Sequence, residues 1–212
     1  MRVVLAVGAH PDDIELGCAG TLALHKMGGD KVYLLVLTKG EASGNPEVRQ
    51  RECRRAAKLV GADALFFGGL RDTYVNDGRE TIDAIEKVMI QVKPDMVYAP
   101  ASKDTHQDHR NAGQASMSAG RRCKIVLLYE GASTQRDFTP QVFVDIEKTF
   151  TLKRRVTRVF GSQIKNGKGG YSHAVKAIEG LAKLRGYQAG VNVAEAFEVG
   201  KFIFEVGNNH GH

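Results

Sequence analysis

Two short polar clusters carry the residue types that bind metal ions. The first cluster, His10 with Asp12 and Asp13, ends the apolar run "VVLAVGA", and the second, "DTHQDH", holds His106 and His109. Residues three apart in a turn or a first helical turn lie on one face, so His10 and Asp13 could share one ion. One of the two later histidines could complete the set. Two histidines and a carboxylate, with a position left for water, are typical of catalytic zinc.

The remaining polar residues have the chemistry of acid–base catalysis. Zinc lowers the pKa of a bound water toward about 7, and Asp12 could take that proton as a general base. Whichever of His106 and His109 does not bind the ion could polarise a carbonyl or protonate a leaving group. Asp108 could hold that histidine through its far nitrogen and keep it charged. These residues predict a metal-dependent hydrolase.

Each cluster also has a purely structural interpretation. The sequence "PDD" is often a turn, since aspartate favours helix N-termini, and a single histidine near a strand end is often a hydrogen-bonded structural residue. Magnesium or manganese would accept the same carboxylate-rich set. Two such clusters after strands of one sheet favour a metal site over two unrelated turns.

The elements that must position the clusters alternate between buried strands and helices, which predicts an α/β, Rossmann-like fold with a mainly parallel sheet and helices on both faces. Ligands of such sheets bind beyond the carboxyl ends of the strands, so both clusters should lie on the same edge. The predicted strands are "VVLAVGA", "KVYLLVLT", "ALFFGG", "DMVYAP" and "KIVLLYE", and the helices between them include "AGTLALHKMGG", "NPEVRQRECRRAAKLVG" and "RETIDAIEKVMIQVK".

The pattern weakens after residue 135. "PQVFVDI" and "AEAFEVGKFIFEV" predict strands, whereas "EKTFTLKRRVTRVFGSQ" and "HAVKAIEGLAKLRG" predict helices, the latter ending at Gly186. The Gly- and Lys-rich "KNGKGGYSH" predicts a mobile surface loop. We expect a single domain over residues 1–206 and a disordered polar tail over 207–212.

Composition limits the class of protein. With 212 residues, 42% hydrophobic and 25% charged, the chain is typical of a soluble globular protein. It has neither an apolar run of about 20 residues nor a signal peptide, so we expect a cytoplasmic protein without a membrane partner. Its three separated cysteines predict reduced thiols. The net charge of +6 is interpreted as solvated helix faces, because no nucleic-acid-binding motif accompanies it.

The stretches "GAHPDDIELGCAGTLA" and "PASKDTHQDHRNAG" resemble the LmbE-like (PIG-L) zinc-dependent N-acetylglucosaminyl deacetylases. Weaker likeness in "FVDI", "GSQ", "KLRG" and "AEAFEV" extends over nearly the whole chain. The resemblance implies a Rossmann-like fold and hydrolysis of a linear amide, with removal of acetyl from an N-acetylated amino sugar or its conjugate. It also implies one zinc per chain, with other divalent metals as alternatives, a small-molecule substrate and, since relatives are often oligomeric, a homo-oligomer.

The resemblance also implies roles for individual residues. It makes His10, Asp13 and His109 the zinc ligands and Asp12 the general base. Many members place a glutamate directly after the two aspartates, whereas this chain has Ile14 and then Glu15. The ligand and base positions are intact, so the departure affects only supporting contacts, and we expect Glu15 to make a supporting hydrogen bond.

Three further residues take roles from the same resemblance. His106 would be the acid or the oxyanion-stabilising group, oriented by Asp108. Arg49, in "NPEVRQRE", resembles the arginine that holds substrate near the metal. Gln163 and the "AEAF" segment are expected to line the pocket.

Two other functions compete with the deacetylase. A metal-dependent hydrolase of another bond, such as a phosphoester, usually uses two metals and more bridging carboxylates than these clusters supply. A non-catalytic Rossmann-type nucleotide-binding module would need a Gly-rich phosphate loop after the first strand. The chain has "GAHPDD" there, and its acids would repel a pyrophosphate.

Overall fold

A single sheet organises the computed structural model, which describes residues 1–165 and 170–204. Its seven strands lie in the order β3-β2-β1-β4-β5-β7-β6. Among the described strands, β7 runs opposite to the other six, so the sheet is mainly parallel, as predicted. The strands are β1 (Val3–Gly8), β2 (Lys31–Thr38), β3 (Ala64–Leu70), β4 (Met96–Pro100), β5 (Ile125–Tyr129), β6 (Val142–Asp145) and β7 (Ala194–Phe202).

Helices cover both faces of the sheet. Successive strand side chains point to opposite faces, and because these side chains are apolar, each face must be buried. Val4 and Ala6 of β1 pack in one core, while Leu5 and Val7 pack in the other. The first core is covered by α1, α2 and α5 and the second by α3 and α4. The helices are α1 (Asp13–Met27), α2 (Pro46–Val60), α3 (Arg79–Val92), α4 (Gln107–Ala119), α5 (Phe150–Thr157), α6 (Gly161–Lys165) and α7 (Gly170–Ala189). The predicted α/β, Rossmann-like fold is confirmed.

Helix α2 follows its sequence signals closely. The Asn45 side chain accepts hydrogen bonds from the backbone N–H of Glu47 and Val48 at 2.9 and 3.1 Å. At the other end, Gly61 adopts a left-handed conformation with φ of 83°, which suits glycine because it has no Cβ. Both ends of the helix were predictable from residue type alone.

Helix α1 differs from its prediction. The sequence "AGTLALHKMGG" predicts a start at Ala19, but the helix begins at Asp13 and is broken at Cys18, where φ is −137°. Gly17 and Gly20 lower the helix propensity of this first part. The helix is also buried around most of its circumference, so its sequence shows little helical periodicity.

The C-terminal region is more finely divided than predicted. The single helix expected over "EKTFTLKRRVTRVFGSQ" is a 3₁₀ turn (Glu147–Thr149) followed by α5 and α6. The predicted loop "KNGKGGYSH" lies partly outside the described residues, and α7 begins at Gly170 and passes Gly186 to end at Ala189. The predicted disordered tail, residues 207–212, also lies outside the described residues.

The three cysteines are buried as free thiols, as expected. In residues 1–165 and 170–204, none of the helices is both long and apolar enough to span a membrane.

A close contact between α1 and β5 makes Gly17 a sensitive position. A Cβ added there would lie 2.2 Å from the Tyr129 ring, whose hydroxyl donates a hydrogen bond to Val7 O at 2.9 Å. Gly17→Ala should therefore lower the free energy of unfolding by about 1–3 kcal/mol through overpacking. Gly180→Ala is the matched control, because among the described residues no atom beyond its chain neighbours and its own helix backbone lies within 4 Å of the new Cβ, and it should be neutral or stabilising. Urea unfolding of both variants measures the difference, and equal stabilities would contradict the packing argument.

Candidate metal centre and active site

The two polar clusters meet where the strand order of the sheet reverses. The chain places β2 and β3 on one side of β1 and places β4 and β5 on the other side. Connections on the two sides leave a crevice beyond the carboxyl ends of β1 and β4. His10–Asp13 follow β1, and the loop after β4 leads to His106 at the N-terminus of α4. The predicted convergence on one sheet edge is confirmed.

The side chains of His10, His109 and Asp13 face one another, and Asp13 contacts the two histidines through different oxygens. His10 Nδ1 lies 3.2 Å from His109 Nε2, and His109 Nε2 lies 3.2 Å from Asp13 Oδ1. The third separation, from His10 Nδ1 to Asp13 Oδ2, is 3.5 Å. Tetrahedral ligands at zinc distances of about 2.0–2.2 Å stand about 3.3–3.6 Å apart. Among the described residues, the groups whose ligand atoms all lie within 4.8 Å of one another are His10 with His106 and His109, and His10 with Asp72 and Asp108, so a metal ion could bind around His10.

The far nitrogen of His10 lies between two carboxylates. Its Nε2 is 3.0 Å from Asp72 Oδ1 and 3.1 Å from Asp108 Oδ2. Burial lowers the pKa of His10, but the carboxylates of Asp13, Asp108 and Asp72 outweigh burial and raise that pKa well above its usual value. A carboxylate accepts the Nε2 proton, so Nδ1, which faces the cluster, is the nitrogen that would give up its proton to bind a metal ion.

The ring nitrogen of His109 that points away from the cluster also contacts a carboxylate. Its Nδ1 lies 3.3 Å from Asp104 Oδ1 and 3.2 Å from Ser133 Oγ. Burial lowers the pKa of His109, yet Asp13 and Asp104 raise it to about 10. The pKa of Asp13 is held well below its usual range, because the charges of His109 and His10 outweigh the effect of burial. Nε2 of His109 therefore faces an ionised carboxylate.

Asp12 has a strained backbone and a perturbed carboxyl group. Its φ of 118° lies in the region that L-residues rarely adopt, and such strain is concentrated at functional sites. Burial and the neighbouring Asp13 charge raise its pKa to about 7, although Arg49 opposes the shift. A carboxyl group with a pKa near neutrality is suited to accept a proton at physiological pH.

Arg49 reaches the site from the first turn of α2. The guanidinium donates to Pro11 O at 2.7 Å and to Asp12 Oδ2 at 3.1 Å, and it also contacts Gly40 O and Ser43 Oγ. Although the arginine is buried, it forms part of the cavity wall. In the structure it holds the proposed base and the loop before it.

The structure corrects the predicted partner of Asp108. The Asp108 carboxylate contacts His10 Nε2 and accepts a hydrogen bond from Thr73 N at 2.8 Å. Asp108 contacts His106 through its backbone instead, since Asp108 N donates to His106 Nδ1 at 3.2 Å. The pKa of His106 is lowered, by burial and by the charges of His109 and His10. His106 is therefore held neutral rather than charged, with its ring proton on Nε2.

Glu15 lies beneath the site, at 1% exposure. Among the described residues, no side chain hydrogen-bonds its carboxylate, and the groups that favour its charged form are the backbone N–H groups of Glu15 and Asp12. Burial, with the charges of Asp12 and Asp13, raises its pKa to about 8. Glu15 is therefore protonated at neutral pH.

A cavity of about 550 Å³ opens over the cluster, a volume in the range of small-molecule sites. Beyond the polar residues, its wall includes Leu16, Tyr129, Gln163, His173 and Ala177. Gln163 was expected here. The "AEAF" segment does not line this cavity; it lies in β7, where the Glu195 side chain binds Lys153.

The sequence analysis did not single out Asp72, Asp104 or Ser133. Asp72 comes two residues after β3, a parallel strand whose carboxyl end lies on the same sheet edge as the clusters. The rule that located the two clusters applies equally to this position. Asp104 lies inside the loop that was identified, but its contact with His109 depends on the loop conformation.

Comparison with known proteins gives concordant matches. The family model of PIG-L, described as GlcNAc-PI de-N-acetylase, matches residues 5–139. The chain is 37% identical over 158 residues to "Uncharacterized deacetylase YaiS" of Escherichia coli, covering 71% of this chain and 85% of the relative. It is 30% identical over 188 residues to diacetylchitobiose deacetylase of Thermococcus kodakarensis, covering 77% and 70%.

A solved structure extends the similarity to the whole fold. The crystal structure of the conserved protein TT1542 from Thermus thermophilus superposes with a TM-score of 0.86 at 28% identity, and all of each chain is covered. The family model matches more than half of the chain and includes both polar clusters. The chain is a member of the PIG-L family.

Proposed function

We propose that this protein is a zinc-dependent hydrolase that removes the acetyl group from an N-acetylated amino sugar or its conjugate. The observation that carries the proposal is the set of facing side chains of His10, Asp13 and His109, whose nitrogen and oxygen atoms lie 3.2–3.5 Å apart and are backed by carboxylates. Asp12, a candidate base, precedes Asp13 in the sequence and lines the same cavity. Membership of the PIG-L family and a relative named as a diacetylchitobiose deacetylase support the substrate class.

The donor set fits zinc. The ring nitrogens of His10 and His109 and an oxygen of Asp13 would hold it, and the carboxylates of Asp72, Asp108 and Asp104 would orient the two rings. Zinc supplies Lewis-acid chemistry, polarising water and the acyl carbonyl. Both histidines carry raised pKa values in the protein alone, so metal binding would release protons and weaken as pH falls.

The protein residues around the donor set have separate tasks. Asp12 accepts a proton from the attacking water, and Arg49 keeps its carboxylate in place through the contact at 3.1 Å. His106 accepts from Asp108 N at Nδ1, so its Nε2–H is the donor that stabilises the developing negative charge on the carbonyl oxygen. The cavity wall holds the sugar. As the C–N bond breaks, the proton that Asp12 has accepted passes to the nitrogen, and the products are the free amine and acetate.

The direct test combines metal analysis with release of free amine. The purified protein is assayed with N-acetylglucosamine, N,N′-diacetylchitobiose and charged N-acetylglucosamine conjugates. We expect about one zinc per chain and amine from at least one sugar. A metal-loaded protein that releases amine from none of them would contradict the deacetylase. Two metals per chain with phosphoester hydrolysis would support the alternative enzyme.

A further inference from the structure

Helix α1 is interrupted at one residue, and the helical segment before the interruption carries residues of the proposed site. The backbone leaves the helical region at Cys18, with φ of −137° and ψ of 17°, and the segment before it bears Asp13 and Leu16. In an uninterrupted helix, each N–H bonds to the carbonyl four residues earlier. Gly20 would then donate to Leu16 O, and Thr21 would donate to Gly17 O.

A buried lysine occupies the acceptor side of this break. Lys153, from α5, donates through Nζ to Leu16 O at 2.7 Å and to Gly17 O at 3.2 Å. These carbonyls are the two that an unbroken helix would bond internally. The lysine thus supplies donors at the end of the first helical segment.

A buried glutamate occupies the donor side. Glu195, from β7, accepts from Gly20 N at 2.9 Å through Oε1 and from Thr21 N at 2.7 Å through Oε2. Lys153 Nζ also contacts Glu195 Oε1, so the two side chains form an ion pair. The pair therefore hydrogen-bonds the two carbonyl groups and the two N–H groups that an uninterrupted helix would join to each other.

The location of this ion pair is not explained by stability. Both side chains are only 3% exposed, and a buried ion pair is often no more stabilising than apolar side chains of similar volume. Such pairs are better attested as devices that select one conformation. Lys153 and Glu195 both lie beyond residues 5–139, which the family model matches. The C-terminal elements therefore contact α1 at its break.

We propose that Lys153 and Glu195 are positioning residues that hold α1 in its broken form and thereby place Asp12 and Asp13 at the metal centre. The inference rests on the proposed zinc site. Restoring helical φ at Cys18, about −63°, requires a rotation of about 75° five residues from Asp13, or about 7.5 Å along the helix. Metal ligands tolerate errors of only about 0.2 Å, so a straight α1 would displace the Asp13 ligand.

The informative change is the double variant Lys153→Met with Glu195→Leu. The apolar side chains conserve volume and leave no unpaired buried charge, while the freed backbone groups can bond to each other as α1 straightens. We expect a folded protein whose zinc affinity falls by about 10-fold or more, as when other supporting partners of a metal ligand are lost. Competition against a chromophoric chelator, with metal-stripped protein of verified circular dichroism, measures this affinity independently of turnover.

The control is Arg121→Met with Glu86→Leu, a more exposed pair joined at 2.7 Å that connects α3 to the 3₁₀ turn after α4. It should keep wild-type zinc affinity. If the double variant at the break does not fold, Glu195→Gln replaces it, because glutamine keeps one acceptor oxygen. Measured below its unfolding temperature, this variant should still bind zinc more weakly than the wild-type protein. Unchanged affinity in the folded variant overturns the inference alone. Absence of zinc binding in the wild-type protein overturns the proposed function and the inference together.

Discussion

Asp12→Asn should lower kcat for amide hydrolysis by about 10²- to 10⁴-fold, the usual contribution of a general base, while zinc content stays at the wild-type level. Asparagine has nearly the same shape and keeps an oxygen toward Arg49, but it cannot accept a proton from water. The proposed ligands are His10, Asp13 and His109, so the substitution leaves the proposed donor set intact. Amine release and zinc per chain, measured on the same preparation, check both parts.

The two parts of this result separate three assignments. Asp83→Asn, on the exposed face of α3, is the matched control and should change neither quantity. Wild-type kcat in Asp12→Asn would show that another group takes the proton. Loss of zinc together with turnover would show instead that Asp12 helps to bind the ion.

The backbone at Asp12 supports a chemical rather than a structural role for this side chain. A φ of 118° costs free energy in any residue with a Cβ, and glycine would relieve that strain. The chain nevertheless has an acid there, buried against Arg49. An acid in a strained and buried position is expected where the carboxylate must face one particular atom.

The sequence was sufficient to predict the sheet and the meeting of the two clusters. The strands β1, β2 and β4 are short apolar runs bounded by polar residues, and they are buried on both faces. Parallel strands present their carboxyl ends at one edge, so the loops that leave β1 and β4 must converge there. That geometric rule needs no knowledge of side-chain contacts.

The start of α1 could not be predicted, because its partners are remote in sequence. Leu16 O is bonded by Lys153, 137 residues away, and Gly20 N is bonded by Glu195, 175 residues away. Local residue types, with glycines at positions 17 and 20, indicate instead that no helix forms here. Tertiary contacts outweigh propensity in this segment.

The supporting residues of the site were harder to predict than the clusters. The family resemblance implied that Asp108 orients the His106 ring, but α4 begins between the two residues. His106 is the N-cap of α4 and accepts the Asp108 N–H, which directs the Asp108 carboxylate toward His10. A sequence shows which residues are neighbours, but helix geometry decides which nitrogen or oxygen each presents.

His109→Ala should abolish tight zinc binding. The change removes one of three donor atoms and leaves Asp13 Oδ1 facing an empty position instead of a ring nitrogen at 3.2 Å. The loss should exceed the about 10- to 100-fold that results from removing a supporting partner. Chelator competition gives the zinc dissociation constant, and wild-type affinity in this variant would rule out His109 as a ligand.

Asp72→Asn is the matched comparison, because it alters a partner of a ligand and not a ligand. His10 Nε2 contacts both Asp72 and Asp108, so Asp108 still orients the ring when Asp72 loses its charge. We expect zinc affinity to fall within about 100-fold, less than in His109→Ala. The reverse order, with Asp72→Asn the more damaging, would indicate that the ion lies on the Nε2 side of His10, among Asp72 and Asp108. Because His10 faces carboxylates through both ring nitrogens, this order of affinities decides which nitrogen binds the metal.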